Sequence, residues 1–104
     1  MVTKKTRPAS RPAASSKRAP VPIPVERVQC GVRLEKRLLK VLKGLAEYYD
    51  LSLGDLLEGI VLHAFDGKVP FGRESRDRIK TLKGVYRLDL DHRASHRLVE
   101  SERE

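Results

Sequence analysis

The chain has no tryptophan, one cysteine, one methionine, two phenylalanines and three tyrosines in 104 residues. A single domain of this size with so few aromatics builds a thin core, which points to support from a second copy. The lone Cys30 cannot form an internal disulfide, and its surroundings read as a small buried hydrophobe rather than a nucleophile or redox group. No apolar run approaches the roughly 20 residues that span a bilayer, and the N-terminus lacks the apolar stretch of a secretory signal. The expectation is a cytoplasmic protein without membrane contact. The sequence also lacks a nucleophile with a paired base, a Gly-rich phosphate loop and a carboxylate pair in an apolar setting, so it reads as a non-enzyme with no cofactor.

Positive charge is what the chain has in excess. Lysine and arginine number 22 against 14 acids, a net charge of +8 with a pI near 10. Most of this lies at one end. Lys4, Lys5, Arg7, Arg11, Lys17, Arg18 and Arg27 face Glu26 alone, so residues 1–27 carry +6 and the remainder only +2. Residues 1–25 are otherwise proline, alanine and serine, with little to bury, and read as a disordered tail that Pro20, Pro22 and Pro24 stiffen at its end. Such an arm either touches the phosphates or minor groove of DNA, making these seven residues accessory contacts, or simply solubilises the chain.

After the tail the hydrophobic period changes. Val28, Cys30, Val32 and Leu34 alternate with Gln29, Gly31 and Arg33, the pattern of a half-buried strand over 28–34. Leu38, Leu42, Leu45 and Tyr49 then keep helical spacing, which predicts an amphipathic helix over 35–49. A second helix is expected from Ser52, a good N-cap with Asp55 three residues on, through Leu53, Leu56, Leu57, Ile60, Val61 and Ala64. A lone strand leaves both edges unpaired, and the economical remedy is the same strand of a second copy.

This ordered pattern, spanning residues 28–65, resembles the ribbon-helix-helix DNA-binding proteins, the class of the MetJ and Arc repressors. The resemblance implies a mainly α fold with one short strand, paired as an intermolecular two-stranded antiparallel ribbon in a homodimer. It implies that Gln29, Gly31 and Arg33 face the bases in the major groove, where Gln suits adenine and Arg suits guanine. Lys36 and Arg37 would hold flanking phosphates, and the free N–H groups at Ser52, Leu53 and Gly54 would clamp another. Gly31 and Leu53 depart from the polar residues more usual at their positions. Cys30, Val32, Leu34, Leu42, Leu56 and Ile60 would form the dimer core, and Gly59 would ease a close approach of helices there.

The domain reading is a tail over 1–25, a DNA-binding and dimerisation unit over 26–66, and a C-terminal extension over 67–104. In the extension, a third helix over 74–83 ending near Gly84, a short extended piece around Leu88, and a last helix capped by Asp91 and running through Val99 are expected. His92 and His96 would then share a helical face, yet two histidines without further ligands make a poor metal site, and no metal is expected. The functional expectation is a sequence-specific, nucleoid-associated transcriptional repressor that binds double-stranded DNA as a homodimer or a dimer of dimers. A partition adaptor or an antitoxin, engaging a protein through the tail or the extension, fits the same residues. From another class, a helical dimer serving only protein interaction fits the composition.

Overall fold

The computed structural model describes residues 21–101, and the basic positions from Lys4 to Arg18 lie outside them. Three α-helices, α1 (Lys36–Tyr48), α2 (Leu53–Phe65) and α3 (Arg73–Tyr86), are followed by a single 3₁₀ turn at His92–Ala94. The mainly α expectation holds.

The helices begin on different caps and end on one device. At α1 the Glu35 carboxylate accepts the Leu38 N–H at 2.8 Å and holds Arg37 at 3.0 Å. At α2 the Ser52 hydroxyl accepts the Asp55 N–H at 3.1 Å, as its sequence position suggests. Each helix then terminates when a residue just past its last turn turns left-handed: Asp50 (φ 58°), Gly67 (φ 69°) and Arg87 (φ 57°). The next residue reaches back each time, with Leu51 N–H donating to the Ala46 carbonyl at 2.9 Å, Lys68 to His63 at 2.8 Å and Leu88 to Lys83 at 2.9 Å. This is the Schellman closure, which satisfies the last carbonyls of a helix. It also turns Leu51 and Leu88 inward, where Leu88 is buried and Leu51 packs on the core.

Helix α1 lies between the other two. Leu45, Ala46 and Leu56 form the buried centre, with Leu42, Tyr49, Leu51, Ile60, Phe71, Ile79 and Leu82 packed around it. Helix α3 runs antiparallel to α1, because the end of α1 meets the start of α3 and the reverse. At one end the Tyr48 hydroxyl donates to Glu74 at 3.0 Å and accepts from Arg78 at 3.1 Å, while the Tyr49 hydroxyl shares a 2.6 Å hydrogen bond with Ser75. At the other end Arg37 donates to the Arg87 carbonyl at 2.9 Å and to Asp89 at 3.1 Å. Midway, a Cβ on Gly44 would stand 3.0 Å from Leu82 Cδ2, so glycine permits this approach of α3 to α1.

The expected ribbon is not there. Among the described residues there is no β-strand; residues 28–34 carry no regular structure and are fully on the surface, with Val28 81% and Val32 71% exposed. Alternation describes which side chains could share a face, but a strand persists only when a second strand completes its ladder and something covers its apolar side. Neither is present, and the fold is a three-helix arrangement rather than ribbon-helix-helix. The extension also differs from its expectation. Gly84 does not stop α3, which runs on to Tyr86, and the last helix is reduced to one 3₁₀ turn, capped by Asp91 accepting the Arg93 N–H at 3.0 Å. Among the described residues no helix is long and apolar enough to cross a membrane.

Glu35 supplies a testable electrostatic feature. Partial burial pushes its carboxyl up, but the Leu38 N–H and the Arg37 guanidinium outweigh that and hold it below its ordinary value. A depressed acid stabilises the fold above its unfolded pKa of about 4.3 and loses that contribution as pH falls through the lowered folded value. Glu35→Ala is therefore expected to cost about 1 kcal/mol near pH 7, the usual worth of an N-cap, with the deficit shrinking below about pH 4. Thermal melts of both proteins across that range check it; a deficit independent of pH would remove the electrostatic part.

Candidate nucleic-acid interface

The residues expected to read bases, Gln29, Gly31 and Arg33, all lie exposed on the irregular stretch that leads into α1. Nothing comes within 4 Å of a Cβ built on Gly31. Arg33 lays its Nε and Nη2 on the two carboxylate oxygens of Glu100. Arg27 does the same to Glu58 of α2, at 2.8 and 2.7 Å. Both forks are the planar, two-point geometry that also accepts a phosphate or a guanine edge. Each partner carboxylate is held below its ordinary pKa, Glu100 by its hydrogen bonds and charge attraction to Arg33, Glu58 by the same from Arg27. Both carboxylates are therefore ionised at neutral pH.

Arg37 is committed inward rather than outward. Its guanidinium joins Glu35, Asp89 and the Arg87 carbonyl, and so ties the α1 start to the segment after α3. The clustering of cations at a helix N-terminus, which is unfavourable by itself, is answered by the built-in Glu35 rather than by an external anion. Lys36, Lys40 and Lys43 recur at helical spacing and are exposed, and Lys40 also sits over the Tyr86 ring at 5.7 Å. None of the three enters an ion pair among the described residues.

At the start of α2, Ser52 and Gly54 are exposed and Leu53 is half-buried. The first turn already contains Asp55, and Glu58 follows one turn on, so two carboxylates stand near the N–H groups expected to take a phosphate. The proposed dimer-core residues divide. Leu56 is buried and Leu42 and Ile60 pack against the centre of this chain, whereas Cys30 and Val32 are exposed and Leu34 is 39% exposed. The upstream three have no core to enter once the strand is absent. Gly59 has nothing within 4 Å of a Cβ, so its expected close approach is not made inside the chain.

His92 and His96 do not share a helical face, because His92 opens the 3₁₀ turn and His96 lies beyond it at φ 67°. Among the described residues no group of three or more His, Cys, Asp and Glu is placed to hold a metal ion. A shallow, open depression is lined by Leu62, His63, Asp66, Lys68 and Val69 at the end of α2. Sequence reasoning did not find Glu58, Asp89 and Glu100, the acids that hold the arginines. They lie 31, 52 and 67 residues from their partners, and only folding brings them together. No family model, curated protein or solved structure matches this chain.

Proposed function

We propose that the protein binds double-stranded DNA as a homodimer and acts as a sequence-specific transcriptional regulator on the nucleoid. The observation that carries this reading is the segregation of charge. The +6 segment 1–27 leads directly into exposed Gln29 and Arg33, and the outer face of α1 continues with Lys36, Lys40 and Lys43. Charge set apart in this way attracts a polyanion, and Gln and Arg on an accessible segment have the donors to read base edges. Because the ribbon is absent, the reading rests on an arm-like segment laid against the duplex. The Arg33–Glu100 pair does not oppose it, since two solvent-exposed side chains exchange partners readily.

The test is selection of preferred duplexes from a random pool by the full chain, followed by affinity measurements over a salt series. Arg33→Ala is expected to flatten the preference at one position, as loss of a base contact worth about 1–3 kcal/mol does. Lys36→Ala should weaken all duplexes alike and lower the log–log salt slope by about one. Absence of salt-dependent binding would sink the reading, and salt-dependent binding with no enriched sequence would reduce it to non-specific attraction.

A further inference from the structure

Helix α3 carries its own line of positive charge, distinct from Gln29, Arg33 and the α1 lysines, although its last member, Arg87, lends its carbonyl to Arg37 at the α1 start. Arg73, Arg76, Lys80 and Lys83 follow one another at intervals of three and four, and Arg87 extends the interval just past the helix end. At about 100° per residue the four inside the helix fall within an arc of roughly 80°, with neighbours some 5–6 Å apart, and Arg87 follows where the chain turns left-handed. Arg73, Arg76, Lys80 and Arg87 are exposed and Lys83 is half-buried. None is in an ion pair among the described residues. Lys83 does lie near enough to Asp91 to help hold that carboxyl below its ordinary value, after the larger effect of Arg93.

The acids of α3 are turned elsewhere. Glu74 bonds Tyr48, and Asp77 lies about 80° round the helix from the centre of the stripe. By contrast Arg78, off the stripe, is spent inside, stacked 4.2 Å over the Tyr48 ring. The cations thus sort by position: Arg78 holds the helix pair together, while Arg73, Arg76, Lys80 and Arg87 face water and Lys83 is half-buried between them.

We propose that this α3 stripe is a docking surface for the phosphate backbone of duplex DNA, a second contact that deepens the DNA-binding function and rests on it. A duplex presents one phosphate per 3.4 Å of axis on each strand, so a helix about 21 Å long bearing a row of flexible cations meets several at once. An anionic lipid surface is a poorer match, because a surface-bound helix must also sink an apolar side, and Ile79 and Leu82 of α3 are packed on the core. Unpaired strands are a poorer match too, since no aromatic lies on the stripe to stack a base.

The experiment compares three full-length proteins on one duplex over a salt series. They are the parent, Arg76→Gln with Lys80→Gln, and a control of equal charge loss, Lys68→Gln with Arg97→Gln. The stripe pair is expected to lower the log–log salt slope by about 2 and to weaken binding at least about tenfold near 0.1 M salt, while the control changes affinity less than about twofold. Lys80→Arg with Arg76→Lys should retain parental binding, and unchanged helical circular dichroism should confirm that the Gln pair folds. Equal losses in the stripe and control pairs would overturn the proposal, leaving only net charge. So would unchanged binding by the stripe pair, or tighter stripe-dependent binding to phosphatidylserine vesicles than to the duplex. A parent that binds no duplex even at low salt would instead remove the DNA-binding reading itself.

Discussion

Leu45→Ala is expected to lower the melting temperature of the protein by at least about 12 °C, the effect of losing roughly 3 kcal/mol from a domain this small. Leu45 is the only large side chain among the described residues with essentially no exposure, at 1%, and it sits where all three helices meet. The buried centre around it is only Leu45, Ala46 and Leu56. A cavity there removes contacts from α1, α2 and α3 together, and so small a core has few neighbours able to collapse into the gap. Circular dichroism melts of the variant and the parent decide it. Val85→Ala is the control, because that α3 side chain is 64% exposed, lies outside the exposed α2 patch and should shift the melt by little when shortened. A shift under about 4 °C for Leu45→Ala would mean that stability resides elsewhere.

Leu62→Glu combined with Phe65→Glu is expected to convert a dimer into a monomer, raising the dissociation constant at least about a hundredfold. The physical case lies in α2, which is apolar on most of its circumference although only Leu56 of it is buried. Val61, Leu62 and Phe65 form an exposed patch on the side away from the core, with Phe65 81% exposed. A helix apolar nearly all round is ordinarily covered, and burying each such side chain is worth roughly 2 kcal/mol. In a two-fold contact every residue counts twice, so the double substitution would set four carboxylates into one apolar seam. Sedimentation of both proteins at matched concentrations reads the outcome directly. If the parent already sediments as a monomer at micromolar concentration, the homodimer is refuted. If the double variant remains dimeric, the partner surface is not α2. The same comparison bears on DNA binding, since two copies double the cations presented to one duplex.

Much of this architecture is written locally. Helical spacing of Leu38, Leu42, Leu45 and Tyr49 and the Ser52 cap each depend on residues within four or five of one another, and a reading of neighbours recovers them. The segregation of charge toward residues 1–27 and the interval of the α3 cations are likewise properties of the chain as a string. What could not be read locally is which neighbours a segment acquires. The alternation of residues 28–34 is a valid strand pattern, yet strand structure is completed by a distant partner, and the folded chain provides none among its described residues. Gly84 is a plausible helix stop by propensity, but continuing to Tyr86 sets that ring under Lys40 and lets Leu88 be buried, gains that outweigh a cost of about 1 kcal/mol. The arginines show the same division. Their fork chemistry is fixed by residue type, so the sequence alone determines that Arg27, Arg33, Arg37 and Arg78 will seek planar anions or rings. Whether each finds Glu58, Glu100, Asp89 or Tyr48 is decided only by tertiary structure, because those partners lie 30 to 67 residues away and proximity at that range comes from packing.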